Sequence, residues 1–266
     1  FRATILFILA LIGTVGMWSV VVFIPDIEKE FGLDRGTSSL LYAFTMIGFG
    51  FGTVVIGKVY DKFGIKKPIL LATFVLITSY YFYSIFPFYW QFLILQFFMG
   101  FAASAFFGPA MADISNFFNK QRGFALSIVA SANYVAGATW PLLIGYFLTF
   151  IDWRAAHFWI SICLFIMIPL ILLLKNALVD ESKSHDMKQR YKDIRLDLSN
   201  NQIQVLLMLA GICCCVAMAM PQVHMVALCV DNGFGLQVGT EILAVMLYSG
   251  MISCLLYTSP SPRDFG

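Results

Sequence analysis

Apolar residues in this chain come in long continuous runs, neither at every second position nor along a single stripe. Eight runs stand out, at roughly 3–25, 37–57, 68–86, 90–112, 123–149, 155–175, 203–229 and 237–253. At about 1.5 Å of rise per residue, some 20 apolar residues carry a helix across the roughly 30 Å hydrocarbon core of a bilayer. The strands of a membrane β-barrel are only about ten residues long and alternate in polarity, a pattern that these runs do not have. The sequence therefore predicts an all-α membrane protein that crosses the bilayer eight times. Helices also satisfy their own backbone hydrogen bonds, as lipid requires.

The polar gaps between runs are sorted by charge. With Phe1 in the cytoplasm, the inner side holds Arg2; Lys58, Lys62, Lys66 and Lys67; Lys120 and Arg122; and Lys175, Lys183, Lys188, Arg190, Lys192 and Arg195. Only Lys29, Arg35 and Arg154 fall outside, three against thirteen. Basic residues accumulate in cytoplasmic loops, so the amino terminus is expected inside, in a plasma (inner) membrane. The acidic segment with Asp26, Glu28, Glu30 and Asp34 is then outside.

The gaps also divide the chain. Residues 1–175 hold six helices as an N-terminal transmembrane half, 176–202 form a solvated cytoplasmic linker, and 203–253 supply the first two helices of a second half. Residues 254–266 carry Pro260 and Pro262 where the eighth helix should be ending, and read like a translated sequencing adaptor. They are expected to be a non-native tail. On that reading the natural chain continues through four more helices and begins a little before Phe1, which is not an initiator Met.

Composition agrees: 60% of residues are hydrophobic and 12% charged, against about 25% charged in soluble domains, and the mean hydropathy is +0.83. A net charge of +2 gives no footprint for nucleic acid. The six cysteines, with Cys213, Cys214 and Cys215 adjacent, lack metal-ligand spacing. No cofactor, metal site or catalytic residue is indicated. His224 is the one histidine well inside a run, without a carboxylate within a helical turn, and no phosphate-binding glycine loop is present. An enzyme is not expected.

The sharpest local signal is Gly57-Lys58-Val59-Tyr60-Asp61-Lys62-Phe63-Gly64-Ile65-Lys66-Lys67, between the second and third runs. Gly57 would let two helices approach closely, Gly64 would permit a tight turn, and Asp61 is an acid in a basic loop that can pair with Lys62 or meet a helix dipole. Lys66 and Lys67 would hold the loop at an anionic membrane surface. The string matches G-x-x-x-D-[RK]-x-G-x-[RK]-[RK] at every defined position, and by it the chain resembles the major facilitator superfamily. The resemblance implies a helical bundle of which about eight of twelve transmembrane helices are present. It also implies a role for Gly57, Asp61, Lys62, Gly64, Lys66 and Lys67, with Asp113 at the inner end of the fourth helix, in latching the two halves when the site faces outward.

Phe117-Phe118-Asn119-Lys120-Gln121-Arg122-Gly123-Phe124-Ala125-Leu126, Asp152-Trp153-Arg154-Ala155-Ala156 and Pro221-Gln222-Val223-His224 are similar to segments of the monocarboxylate porter and oxalate–formate antiporter branch. Gln121 stands where a second basic residue is common. That resemblance implies transport of a small organic anion.

Polar side chains in lipid are costly and usually face a cavity or another helix, which singles out a few positions. Gln96 shares a face with Gly100 and Ala103; Asn133, Gly137 and Trp140 share another by i, i+4, i+7 spacing, with Tyr134 turned about 100° away. Gln222 and His224 are two residues apart and line one cavity only if Pro221 loosens the helix. Gln96, Asn133, Tyr134, Trp140, Gln222 and His224 are the substrate-binding candidates, interhelical hydrogen bonding and plain packing being the alternatives. Gly48, Gly50 and Gly52 crowd the second run, Gly100, Ala103 and Gly108 mark the fourth, and Gly137 and Pro141 are expected to interrupt the fifth. Glu241 opens the eighth on the outer side, and no Lys or Arg lies deep in any run.

The resulting expectation is a secondary active transporter, a symporter or antiporter, moving a small solute by alternating access. A drug or metabolite exporter is the alternative within that class, and a non-transporting nutrient sensor the alternative outside it. Its partners would be a small-molecule substrate, a coupling proton or counter-anion, and the lipid bilayer; it would bind no nucleic acid and act as a monomer.

Overall fold

The computed structural model describes residues 2–117, 122–174 and 199–257, all of them in helices or short connections. Eight helical stretches are long and apolar enough to cross a membrane. The first span is α1 (Arg2–Gly13) and α2 (Val15–Phe31); the second is α3 (Arg35–Phe63) and the third α4 (Lys66–Ile85). The fourth is α5 (Tyr89–Ala103) and α6 (Gly108–Phe117), and the fifth is α7 (Arg122–Phe147). The sixth is α8 (Trp153–Cys163) and α9 (Met167–Leu173), the seventh α10 (Asn200–Asp231), and the eighth α11 (Leu236–Tyr257). The expected linker, apart from residues 199–202, and the tail from residue 258 lie outside the described residues, as does the Phe118–Gln121 part of the fifth-helix motif. α11 runs four residues into the segment set apart as a tail.

Two boundaries are set by capping. Asp34 accepts hydrogen bonds from the Gly36 amide (2.9 Å), the Thr37 amide (3.2 Å) and the Thr37 hydroxyl (2.6 Å), opening α3. The Thr37 hydroxyl and then its amide hold the Asp34 carboxyl below its usual value. Ser199 and Gln202 satisfy each other's amides reciprocally, so α10 begins at Asn200, inside the boundary expected for the linker.

Two of the three breaks within spans lie beside a proline, though not at Pro141, where one was expected. α7 runs without interruption through Gly137 and Pro141, and α10 through Pro221. The breaks are 3-10 turns at Ser104–Phe106 and Leu164–Ile166. Each lies just ahead of Pro109 or Pro169, whose missing N–H and bulky ring disfavour a regular turn around the carbonyl four residues earlier, at Ala105 and Phe165. The first span breaks at Thr14 without a proline, its hydroxyl turning back to the Ala10 carbonyl at 2.7 Å. The breaks of spans one and four meet: a Cβ on Gly13 would lie 2.3 Å from the Phe106 ring.

The second and fourth spans are pressed together at backbone distance. A Cβ on Gly48 would lie 2.0 Å from the Phe97 carbonyl oxygen, one on Gly100 1.9 Å from the Thr45 carbonyl oxygen, and one on Gly52 2.5 Å from that of Phe101. Gly50, Gly57 and Gly108 meet nothing within 4 Å. The close helix approach expected at Gly57 is therefore absent, because that glycine faces open space.

The first span is the most buried and packs against the second, fourth, fifth, sixth and seventh. Surrounding helices turn large apolar groups outward, among them Phe51, Phe74, Phe98 and Leu172, as a lipid-facing surface requires. Exposed Phe88, Trp90, Tyr146 and Phe150 lie at span ends on the same side as Asp26, Asp34 and Asp152, and Trp and Tyr favour a membrane interface. That side is called the acidic end below, and the side with Lys58–Lys67 the lysine-rich end.

Candidate functional site

At the lysine-rich end, the 57–67 segment closes α3 and opens α4. Gly64 takes φ 73°, ψ −174°, a backbone shape that side chains with a Cβ resist. Lys62 and Lys67 reach over the Phe63 ring, at 5.4 and 4.3 Å. Lys66 Nζ donates to the Leu172 carbonyl at 3.3 Å, capping the negative end of α9. Asp61 is exposed and forms no ion pair among the described residues.

Asp113 is not drawn into this loop. It pairs with Arg2 through two bonds, Nη2 to Oδ1 at 2.7 Å and Nε to Oδ2 at 2.8 Å. The side chains are only 11% and 3% exposed. Arg2 also lies 5.1 Å over the Phe117 ring, and neighbouring Asn116 donates to the Tyr60 hydroxyl at 3.4 Å. The expected charge cluster is thus replaced by a strut between the first and fourth spans. Opposite charges at matching span ends were the available sequence signal.

At the acidic end, two arginines do the tying. Arg154 donates to Glu30 (2.7 Å) and to the Phe86 carbonyl (2.8 Å), while Trp153 Nε1 donates to Glu30 at 2.7 Å. Asp152 caps α8 through the Arg154 amide. The Asp152–Ala156 segment therefore fastens the sixth span to the first and third. Arg35 holds both carboxylate oxygens of Asp231 at 2.7 Å and Glu28 at 3.3 Å, joining the six-span part to α10.

The mid-span candidates separate into three groups. Gln96 accepts from Thr45 Oγ1 at 2.8 Å and donates to the Tyr83 hydroxyl at 3.5 Å, within spans two to four. Asn133 and Trp140 face the first span: Trp18 Nε1 donates to Asn133 Oδ1 at 3.1 Å, and Trp140 Nε1 to the Leu11 carbonyl at 2.8 Å beside the α1–α2 break. Between them, a Cβ on Gly137 would meet Trp18 at 2.6 Å and Leu247 at 2.8 Å. Tyr134 turns to the eighth span, its ring 3.5 Å from a Cβ on Gly250. Gln222 is buried and its amide has no hydrogen-bond partner among the described residues, whereas His224 is exposed. With α10 regular through Pro221, the two point to different sides and do not line one cavity.

Sequence reasoning overlooked His157 near the start of the sixth run. It is buried against the Tyr83 ring, 4.3 Å between centroids and 3° from parallel, with Phe23 at 4.1 Å. Its Nδ1 sits 2.8 Å from the Trp153 carbonyl, which can only accept, so that nitrogen carries the proton.

The fifth and eighth spans meet through Thr139 and Tyr248 (3.0 Å between hydroxyls) and through Gly145 against Thr240. A recess of about 600 Å³ opens beside them at the acidic end, lined by Thr149, Phe234, Gln237 and Glu241 among others.

The chain is similar to known transport proteins. The MFS-type transporter pynF of Aspergillus niger is 28% identical over 151 residues, which cover 55% of this chain and 34% of that protein. The agnestins efflux protein AgnL12 of Paecilomyces divaricatus is 26% identical, over 56% and 35% of the two chains. The uncharacterized MFS-type transporter YdgK of Bacillus subtilis is 26% identical, over 68% and 47%. The matched region thus spans between a third and a half of these relatives. The inward-open xylose transporter XylE of Escherichia coli shares the fold with a TM-score of 0.56 at 14% identity, over 97% of this chain and 67% of that one. The family profile runs along residues 6–262, and the chain belongs to the Major Facilitator Superfamily.

Proposed function

We propose that the chain works as part of a secondary active transporter that moves a small organic solute across a membrane by alternating access. The observation that carries this reading is the family match over residues 6–262, joined to relatives named as transporters and efflux proteins. In such carriers two groups of helices rock about a site between them. The seam between spans one to six and spans seven and eight is where Trp18, Asn133, Gly137, Tyr134, Thr139 and Tyr248 meet, and Gln222 stands beside it with an unused amide. These groups suit a solute with both an apolar body and hydrogen-bonding groups. The lysine-rich end is read as cytoplasmic from its basic excess, and the 57–67 loop as a latch on that side.

Export of an organic metabolite is the favoured direction, because the agnestins relative is named an efflux protein. A small-anion substrate is the second reading, supported by the resemblance at Asp152–Ala156 and Pro221–His224. Everted membrane vesicles energised with a proton gradient separate them, with a planar polycyclic dye, radiolabelled pyruvate and radiolabelled oxalate as probes. Gradient-dependent dye uptake is expected. Uptake of oxalate or pyruvate alone would move the assignment to organic anions, and binding of a probe without uptake would replace the carrier with a sensor.

A further inference from the structure

Arg35 and Asp231 are 196 positions apart, and their contact is the one ion pair among the described residues that joins the six-span part to the seventh span. It is bidentate, both carboxylate oxygens lying 2.7 Å from Nη2. Each charge sits at the wrong end of its own helix. Arg35 is the first residue of α3, at the positive end of that helix's dipole, and Asp231 is the last residue of α10, at the negative end of its own. Neither placement helps the helix that carries it. Each makes sense across the contact, where the guanidinium meets the electron-rich end of α10 and the carboxylate meets the amide-rich end of α3.

Arg35 is also held independently of Asp231. Its Nε lies 3.3 Å from Glu28, which in turn accepts a hydrogen bond from Ser38, and all three belong to the six-span part. Losing Asp231 would leave the arginine paired with Glu28. The side chains of Arg35 and Asp231 are 31% and 57% exposed, so water can take over the released carboxylate. Separating the pair therefore strands no buried charge, unlike the Arg2–Asp113 strut, whose members are nearly enclosed. One arginine nitrogen, Nη1, is buried without a partner among the described residues, so the closed arrangement is not fully satisfied there. These are the properties of a contact that can be made and broken repeatedly.

Among the described residues, α10 buries side chains only over its acidic-end half. Val223, Val226, Ala227 and Cys229 are buried there, while side chains from Gln204 to Cys213 are exposed. Ala227 lies one turn before Asp231 on the same helix face and is 2% exposed.

We propose that Arg35 and Asp231 form a reversible clasp that closes the acidic-end mouth between the two transmembrane halves, with Glu28 keeping Arg35 in position when the clasp opens. The transport reading supplies the reason for it to open, but the test does not depend on transport. Ala227→Cys, in a protein otherwise stripped of cysteine, reports whether that mouth is closed. The readout is its labelling rate by a membrane-impermeant maleimide applied from the acidic side. Asp231→Asn and Arg35→Gln should each raise the rate about fivefold, the equilibrium shift typical of losing one partly exposed ion pair. The double variant Arg35→Gln with Asp231→Asn should label no faster than Asp231→Asn alone, because both remove the same contact, and a parent-like size-exclusion profile shows that the variants fold. Equal labelling in parent and folded single variants, or a double variant that labels at the product of the two single effects, would overturn the clasp. Failure of solute uptake with the labelling pattern intact would overturn the transport reading and leave the clasp standing.

Discussion

At the residue scale, this protein spends its charges on joints between helices. Arg2–Asp113, Arg154–Glu30 and Arg35–Asp231 each tie elements far apart in sequence. They differ in enclosure, which decides what their loss would do. Removing one member of a buried pair leaves an uncompensated charge and costs about 3 kcal/mol or more, whereas exposed pairs contribute about 1 kcal/mol or less. Asp113→Asn is therefore expected to lower the thermal midpoint in detergent by roughly 10 °C, at the few degrees per kcal/mol typical of chains this size. Glu30→Gln, which leaves half-exposed Arg154 bonded to the Phe86 carbonyl, should shift it far less. Equal shifts would show that the Arg2–Asp113 strut carries no special weight.

Residue identity made some of this legible and hid the rest. The string Gly57–Lys67 announced a turn, and Gly64 takes the positive φ that a glycine there suggests. Asp113 was expected in the charge cluster of the 57–67 loop, whereas its ion-pair partner is Arg2, which is too distant in sequence for a one-dimensional reading to see. Gln96 and Asn133 were noticed as polar groups in apolar runs. Their partners Thr45, Tyr83 and Trp18 come from other helices, and no periodicity specifies which helix will lie alongside. His157 was overlooked because it lies two residues into its run, where a polar residue reads as an interfacial one.

At the element scale, glycine spacing carried more information than glycine number. Gly48 and Gly52 are four apart and share a helix face, while Gly50 between them points to the other side. The shared face meets the fourth span at backbone distance, where Gly100 completes the contact. Gly48→Ala is expected to force α3 and α5 apart at a cost of about 1–3 kcal/mol, seen as a fall of several degrees in thermal midpoint. Gly50→Ala, with nothing in the way, should match the parent. The opposite ranking would mean that the two helices do not pack through these residues. Prolines were harder to read. Those at 109 and 169 coincide with broken helices, and those at 141 and 221 with continuous ones. Neighbouring helices decide whether a span tolerates a missing amide, and that context is absent from a single run of sequence.

At the scale of the whole molecule, the eight spans and the all-helical class followed directly from run length, because lipid leaves few other ways to satisfy a backbone. The packing order did not. The first span is the hub, touching spans two, four, five, six and seven, and its break at Thr14 faces the break at Ser104–Phe106 through Gly13 and Phe106. Facing discontinuities of this kind give two spans a common place to bend. The ion pair that joins α10 to α3 lies at one end of the bundle only.

Solute counterflow tests that account most directly. The full-length protein would be reconstituted in vesicles loaded with an unlabelled solute that it accepts, then diluted into a trace of the same solute in labelled form. A carrier with one site exposed alternately to each side exchanges label for unlabelled solute, so label should rise transiently above its equilibrium level and then decline. Label that climbs to equilibrium without an overshoot would indicate an open path, and label that only binds would indicate a sensor; either result would contradict alternating access.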